Sequence, residues 1–230
     1  MSTAASAPTP VPARGTFARH SYFWRRVHSL TGIIPIGAFI VEHFASNAAV
    51  LSHNPAQSYG NQVIFLNSLP FVLGLEIVLI WAPLAFHGLY GLWIARQADP
   101  NNRRYGWAAN WGYLFQRISG VIVLVFIIWH TWTARFAGIY VPNHPYLAYA
   151  KMAAEMANPW ILAWFIVGIT LVSYHFAYGL YIFAAKWGIT VTRVARANWG
   201  WICLIIGLGL TYAGIASALA FRGLYIYPIR

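Results

Sequence analysis

Four histidines recur in two pairs at nearly equal spacing, and neutral imidazole is a common ligand of transition metals. His87 and His175 are 88 residues apart, and each begins the pattern H-x-x-Y-G-L-aromatic-I. His43 and His130 are 87 residues apart, and each precedes a histidine of the first pair by 44 or 45 residues. The spacing therefore predicts two metal sites, each built from two imidazoles.

The chain that carries these histidines has the composition of a membrane protein. It has 230 residues, of which 60% are hydrophobic and 8% are charged, whereas soluble domains carry about 25% charged residues. Several apolar runs approach the ~20 residues with which a helix spans a bilayer. We therefore predict an all-α, polytopic membrane bundle of five transmembrane helices, at about 27–50, 71–96, 113–138, 160–185 and 200–221.

The N-terminal segment differs from the rest of the chain. Residues 1–20 are rich in Ala, Pro, Ser and Thr and lack the apolar stretch of a signal peptide, so we predict a disordered tail. Residues 21–230 are predicted to form a single five-helix transmembrane domain. Proline removes a helical hydrogen bond, so interruptions are expected at Pro35 in the first helix and at Pro83 in the second.

The basic residues indicate how the chain lies in the membrane. A net charge of +11 would suit a nucleic-acid partner, but these residues form short clusters between the apolar runs, which is typical of membrane orientation. Across the five predicted helices, eleven Lys and Arg residues fall on one side and four on the other. The positive-inside rule predicts a cytoplasmic N-terminus and no nucleic-acid partner.

The alternating helix directions place the four histidines in two layers. His43 and His130 share an outer layer, and His87 and His175 share an inner layer nearer the cytoplasm, so the chain resembles a duplicated helical hairpin followed by a fifth helix. A low-spin heme b requires one imidazole on each face of its iron, held by rigid helices. Zinc fits less well, because no cysteine or carboxylate lies at ligand spacing. We therefore predict two hemes b with these four iron ligands.

Other residues near the predicted hemes suit the rest of the macrocycle. Gly91 and Gly179 each follow a histidine by four residues on the same helix face, where a missing side chain lets a flat macrocycle approach. Heme propionates attract cations and hydrogen-bond donors. The candidates at the cytoplasmic rim are Arg26, His28, Ser29, Arg117 and Lys186. Alternatively, the cations among them only set the topology by pairing with lipid phosphates.

Several motifs, taken in order, resemble one family. They are R-R-x-H-S-L-x-G at 25–32, the two H-x-x-Y-G motifs, Q-R-x-[ST]-G followed by W-H-x-W within 116–132, and W-G-I-T at 187–190. Together they are similar to the cytochrome b membrane-anchor subunit of succinate dehydrogenase or fumarate reductase. The closest type is the single-chain, five-helix, di-heme anchor, and the resemblance covers residues 21–221.

The resemblance implies a place in a respiratory complex of the bacterial cytoplasmic membrane. An anchor of this type docks a flavoprotein and an iron–sulfur subunit at the cytoplasmic face. FAD and the iron–sulfur clusters belong to those partners. Electrons from succinate would pass through the inner heme and then the outer heme to a membrane quinone, usually menaquinone. The direction, succinate oxidation or fumarate reduction, does not follow from the sequence.

Quinone reduction consumes protons, so its site needs titratable groups near water. Glu42 and Glu76 are the carboxylates within the predicted helices, and both fall at the outer layer. We predict an outer quinone site with Glu76 or Glu42 relaying protons. The alternatives are that Glu76 only hydrogen-bonds a neighbouring helix, or that the quinone binds at the cytoplasmic rim near His28 or Arg26.

Two other functions remain open from the sequence. The first is the cytochrome b subunit of a hydrogenase or formate dehydrogenase, which the H-x-x-Y-G and W-G-I-T motifs disfavour. The second is a proton-coupled transporter with histidine relays. It predicts no heme, and it is disfavoured because only two carboxylates lie within the predicted helices.

Overall fold

The computed structural model describes residues 15–137 and 146–223, with side chains from 21 to 137 and from 147 to 223. Within these ranges the chain forms α-helices joined by turns and loops, together with one 3₁₀ helix, Ala48–Leu51, and two wider π-helical segments, Glu76–Trp81 and Trp132–Phe136. The α-helices, in chain order, are α1 (Gly15–Ile33), α2 (Pro35–Asn47), α3 (Pro55–Asn67), α4 (Val72–Leu75), α5 (Ala82–Arg96), α6 (Ala108–Thr131), α7 (Tyr146–Ala157), α8 (Pro159–Lys186) and α9 (Arg193–Phe221).

Five helical segments are long and apolar enough to cross a bilayer. They run over Ser21–Leu51, Val72–Arg96, Ala108–Phe136, Pro159–Lys186 and Arg193–Phe221, and we refer to them as the first to fifth spans. Their number and order confirm the prediction of five long apolar helices. Large apolar side chains such as Val78, Trp160 and Leu208 are exposed on these spans, as expected for surfaces that face lipid.

Three helix starts lie earlier than the sequence predicted, one of them that of the third span, which begins at Ala108 rather than near 113. The fifth span begins at Arg193 rather than near 200, because Thr192 caps it: its hydroxyl oxygen accepts a hydrogen bond of 3.0 Å from the Ala195 amide. Helix α1 begins at Gly15, inside the segment predicted to be a tail. The prediction of a disordered tail over residues 1–20 is therefore wrong for residues 15–20, and its remaining part, residues 1–14, lies outside the described residues.

The two interrupting prolines act differently. Pro35 is the first residue of α2, and Ile34 separates α2 from α1, so the first span is broken there as predicted. Pro83 lies near the start of α5, directly after the π-helical segment Glu76–Trp81. A π-helical turn tolerates the hydrogen bond that proline cannot make, so the second span passes Pro83 without ending.

Two helices that the sequence analysis missed cover one end of the bundle. Helices α3 and α7 lie in the first and third loops, where no helix was predicted, and they pack against each other. The Asn54-Pro55 pair was a usable signal, because Asn54 is the N-cap and Pro55 the first residue of α3. We name this the capped end. The opposite end, which carries Arg25, Arg26, Arg96, Arg117 and Lys186, is the arginine-rich end.

The capped end is tightly packed. Val50 and Met156 are fully buried there, and the Tyr59 ring meets the Phe221 ring edge to face at 4.9 Å. Burial, and secondly the nearby Glu155, raise the pKa of Tyr59 to about 12. The Tyr59 hydroxyl therefore keeps its proton at neutral pH.

The fourth span lies at the centre of the bundle. Helix α8 packs along both α6 and α9, while α1 packs on α5 and α8. Small residues allow these close approaches. A methyl group at Gly168 of α8 would lie 2.5 Å from the Phe126 ring of α6, whereas a methyl group at Gly209 of α9 would meet no atom within 4 Å.

These two glycines give a matched test of the packing. We expect Gly168→Ala to lower the free energy of unfolding by about 1–3 kcal/mol, the typical cost of overpacking a core. Gly209→Ala should leave it unchanged or raise it by up to about 1 kcal/mol, because alanine favours a helix over glycine. Unfolding of the purified protein in detergent measures both. Equal stability of the two variants would contradict the α6–α8 contact.

Candidate functional site

The inner histidine pair joins the second and fourth spans. His87 of α5 and His175 of α8 have ring centroids 6.2 Å apart and ring planes at 89°. Both side chains lie in the interior between the helices. The two histidines that the sequence placed in one layer are thus neighbours in space.

The outer pair joins the first and third spans in the same way. His43 of α2 and His130 of α6 have ring centroids 5.9 Å apart and planes at 71°. The His130 ring stacks on Phe126 at 5.6 Å and meets Phe165 edge to face at 5.5 Å. Packing against aromatic rings therefore fixes the position of this imidazole.

Both separations suit a metal ion shared by two imidazoles. With metal–nitrogen bonds of about 2 Å, two rings on opposite sides of one ion have centroids about 6 Å apart. Over the ranges 15–137 and 146–223, no group of three or more His, Cys, Asp or Glu residues is arranged to hold a metal. Two ligands per site fit an iron whose remaining four bonds come from a macrocycle, as in a bis-histidine heme.

Each inner imidazole has a hydrogen-bond partner at Nδ1. The Nδ1 atom of His87 lies 2.9 Å from the His28 carbonyl oxygen, which can only accept, so Nδ1 carries the proton. The Nδ1 atom of His175 lies 3.1 Å from the Ser119 hydroxyl. In His87, Nε2 is therefore left with its lone pair, as a ligand requires; in His175 the same holds when the Ser119 hydroxyl accepts from Nδ1–H.

The outer pair lacks this arrangement. The Nδ1 atom of His130 is buried without a hydrogen-bond partner among the described residues. The Asn47 side-chain amide donates to the His43 carbonyl at 2.7 Å and lies 3.5 Å from His43 Nε2. The two layers thus have similar spacing but different surroundings.

Two glycines that the sequence analysis did not single out lie against the inner imidazoles. A methyl group at Gly32 would overlap the His87 ring, and one at Gly120 would lie 2.9 Å from the His175 ring. Both are the last residue of a motif repeated at a spacing of 88, Thr31-Gly32 and Ser119-Gly120, and that repeat was a usable signal. Close helix approach at these positions brings the first span onto the second and the third onto the fourth.

The two glycines predicted to face the macrocycle occupy equivalent places. Gly91 faces Nε2 of His28, which would lie 3.1 Å from an added methyl group, and Gly179 faces Nε2 of Gln116 at 3.3 Å. His28 and Gln116 are themselves 88 residues apart. The side-chain contacts therefore repeat with the sequence, as expected of a duplicated hairpin.

Three of the residues predicted to bind heme propionates lie close together at the arginine-rich end. The Arg26 guanidinium donates to the Lys186 carbonyl at 3.2 Å and lies over the Trp187 ring at 4.9 Å. The Trp187 indole donates to the Ser29 hydroxyl at 3.4 Å. This contact set ties the ends of the first and fourth spans together.

The other two predicted propionate residues lie apart from this cluster. His28 stacks on the His87 ring, with centroids 4.0 Å apart. Arg117 turns back onto its own helix, with its guanidinium 3.3 Å above the Tyr113 ring and a 2.9 Å bond to the Tyr113 carbonyl. It also lines an apolar groove of about 370 Å³ next to Ala95 and Ile118.

The two predicted quinone-site carboxylates differ in their partners. Glu76 forms an ion pair of 3.0 Å with Arg135, and their side chains are 19% and 34% exposed. The pair links the two π-helical segments, which are often found at functional sites. Glu42 instead accepts a hydrogen bond from Ser46, one turn along its own helix. Only Glu76 connects two spans.

A second ion pair lies on the capping helix α7. Lys151 lies 3.6 Å from Glu155 on the same helix, and its ammonium group donates to the Thr133 carbonyl. Thr133 in turn donates to the His130 carbonyl at 3.1 Å. The cap is therefore connected to the helix end that carries His130.

Five apolar spans with two layers of paired histidines define a polytopic membrane protein built to hold paired imidazoles in its interior. Residues 94–214 match the family described as "Succinate dehydrogenase/Fumarate reductase transmembrane subunit". The chain is also 36% identical over 200 residues to the "Succinate dehydrogenase cytochrome b558 subunit" of Bacillus subtilis (strain 168), an alignment that covers 87% of this chain and 96% of that relative. The chain belongs to this family and is a membrane subunit of a bacterial succinate dehydrogenase complex.

The comparisons confirm the family that the motifs predicted. The alignment covers 200 of the 230 residues, so it includes residues 31–200 whichever residue it begins at. The region similar to the relative therefore contains all four histidines. The family match removes the hydrogenase, formate dehydrogenase and transporter alternatives. No solved structure matches the chain significantly.

The ion pair between the second and third spans gives a test of the site's geometry. In a double-mutant cycle of Glu76→Gln and Arg135→Gln, we expect a coupling energy of about 1 kcal/mol or more, because the two groups form a direct contact of 3.0 Å between separate spans. The same cycle on Lys151 and Glu155 should give about 0.3–0.5 kcal/mol, typical of a pair on one helix. Unfolding in detergent measures both. Equal coupling in the two cycles would contradict a specific role for the Glu76–Arg135 contact.

Proposed function

We propose that this chain is the di-heme membrane anchor of a succinate:quinone oxidoreductase. It passes electrons from an iron–sulfur subunit through two hemes b to a membrane quinone, menaquinone. The observation that carries this proposal is the pair of histidine layers, each with two imidazoles whose centroids lie about 6 Å apart. The cytochrome name of the Bacillus subtilis relative supports the same cofactor.

Each heme would be held by two spans. His87 and His175 would bind the iron of the inner heme, and His43 and His130 that of the outer heme. Bound heme supplies a one-electron carrier at each layer. The protein fixes the position of each imidazole through the neighbouring helix and would shield the bound metal from water.

Polar residues at the arginine-rich end are suited to carboxylates of the inner heme. Arg26, Ser29 and Lys186 lie close together there, and His28 lies against the inner ligand. Arg117 is the fifth candidate, and it reaches this set only by turning away from Tyr113. Gly91 and Gly179 lie at the same level, where the side chains of His28 and Gln116 face them.

The charge distribution supports an orientation with the arginine-rich end in the cytoplasm. The flavoprotein and iron–sulfur subunits would dock on that face, because the chain has one cysteine and no G-x-G-x-x-G fingerprint to hold an iron–sulfur cluster or FAD of its own. The capped end would face the outside.

We place the quinone at the capped end, beside the outer layer. Glu76 is a carboxylate at this depth that pairs with a cation of another span, so it can pass a proton while Arg135 stabilises the resulting charge. Glu42, which is bound to Ser46, is the second candidate. The ion pair with Arg135 therefore favours Glu76 over Glu42 as the group that passes protons to the quinone.

The heme assignment is tested by changing one ligand at a time. We expect the unaltered protein to bind two hemes b per chain, and His87→Leu or His175→Leu to retain about one, since each iron would lose one of its two protein ligands. Reduced-minus-oxidised spectra with pyridine hemochromogen quantitation measure this. His53→Leu, an exposed histidine outside both layers, is the matched control and should keep both hemes.

The opposite results would be informative. A protein that binds no heme would refute the proposal at its centre. A His53→Leu variant that loses as much heme as His87→Leu would show that general destabilisation, rather than ligation, explains the loss.

The quinone site is tested by Glu76→Gln and Glu42→Gln. We expect Glu76→Gln to lower succinate:menaquinone reductase activity by about 10²-fold, the lower range of a proton-transfer contribution, with both hemes retained. Succinate oxidation by a soluble artificial acceptor, which bypasses this chain, should be unaffected. Full quinone reductase activity in both variants would rule out these carboxylates.

A further inference from the structure

Ser119 of α6 is the side chain in closest polar contact with an inner imidazole. It is 2% exposed, and its hydroxyl oxygen lies 3.1 Å from Nδ1 of His175 on α8. The same hydroxyl lies 3.2 Å from the Gln116 carbonyl oxygen, one turn earlier on its own helix. Both contacts are within the buried interface of the third and fourth spans.

The direction of these two hydrogen bonds follows from the proposed role of His175 as a ligand. A hydroxyl has one proton to donate, and Ser119 can give it either to the Gln116 carbonyl or to Nδ1 of His175. Nε2 of His175 can bind iron only if Nδ1 keeps its own proton, so the ligand role requires the Ser119 proton to point to Gln116. The Ser119 oxygen must then accept from the Nδ1–H of His175. That direction leaves Nε2 of His175 unprotonated.

We propose that Ser119 is a positioning residue for His175, and the inference rests on the proposed di-heme function. By accepting the Nδ1 proton, the hydroxyl holds the imidazole in the ligand tautomer, sets its rotation and increases its electron donation to the iron. Gly120, the next residue, packs against the same imidazole, since a methyl group added at Gly120 would lie 2.9 Å from the His175 ring.

In the other half of the duplicated hairpin, the acceptor for the imidazole Nδ1–H is a backbone carbonyl. Thr31 occupies the place that corresponds to Ser119, and its hydroxyl likewise donates to the carbonyl three residues earlier, that of His28, at 3.0 Å. That carbonyl is the group that accepts from His87. The His87 contact therefore survives side-chain substitution, whereas the His175 contact depends on one hydroxyl and can be removed alone.

Removal of the hydroxyl has a predictable electronic effect. In Ser119→Ala the Nδ1–H of His175 loses its acceptor in an apolar interface. A less basic imidazole donates less charge and stabilises ferric iron less. The midpoint potential of the inner heme should therefore rise, while that of the outer heme, which Ser119 does not touch, should stay the same.

The experiment is a redox titration of the purified complex, followed at the heme absorption bands. The inner heme is identified as the one lost in His175→Leu. We expect an upward shift of the inner-heme potential in Ser119→Ala, a smaller upward shift in Ser119→Cys because sulfur is a weaker acceptor, and potentials near those of the unaltered protein in Ser119→Thr, which restores the hydroxyl.

Ser173→Ala is the matched control. Ser173 is fully buried two residues before His175, and its hydroxyl has no hydrogen-bond partner among the described residues, so removing it should move neither potential. If Ser119→Ala fails to load the inner heme but keeps the outer one, the role of Ser119 in holding the ligand is supported directly. If Ser119→Ala binds neither heme, the inner-heme potential of Ser119→Cys becomes the test: an upward shift supports the inference, and an unchanged potential contradicts it.

Two results would overturn the inference. Both hemes at unchanged potentials in Ser119→Ala would show that the hydroxyl does not act on the ligand, while the di-heme function would stand. An equal shift in Ser173→Ala would show a general packing effect. A complex without heme would instead refute the proposed function, so the two failures are distinguishable.

Discussion

An imidazole inside a membrane must find a partner, because an unpaired polar group in an apolar interior costs several kcal/mol. Four such groups lie in the interior of this bundle, and the helix arrangement brings them together as two pairs. The close approach that this demands is made possible by small residues. Gly32 and Gly120 let neighbouring helices contact the inner imidazoles directly. Much of the packing described above follows from this constraint.

The duplicated hairpin explains why the layers look alike and why they still differ. Contacts of Gly91 with His28 and of Gly179 with Gln116 repeat at a spacing of 88. The outer pair is offset by 87, and the break at Ile34-Pro35 lies between Gly32 and His43, where the first span has one residue more than the third. A broken helix absorbs that residue, because the turn at Ile34 resets the direction in which the following side chains point.

Much of the fold could be predicted from the sequence because its signals are local. The apolar runs determined the five spans, and the histidine spacing determined which residues share a layer. The misses also have local causes. Thr192 moved the start of the fifth span, and Asn54-Pro55 began a helix where a loop was expected. Glu76 and Glu42 were equivalent in sequence, and only their contacts with Arg135 and Ser46 separate them.

The sequence by itself determined that this is a five-span membrane protein of the succinate dehydrogenase family with two histidine pairs, since run length, spacing and motif order do not depend on how helices rotate. Only the tertiary structure decided which atoms meet. The contacts of His87 with the His28 carbonyl and of His175 with Ser119 join residues 59 and 56 positions apart. Each depends on the rotation and depth of two packed helices. Rotation by one residue, about 100°, would remove both contacts while leaving every sequence pattern unchanged.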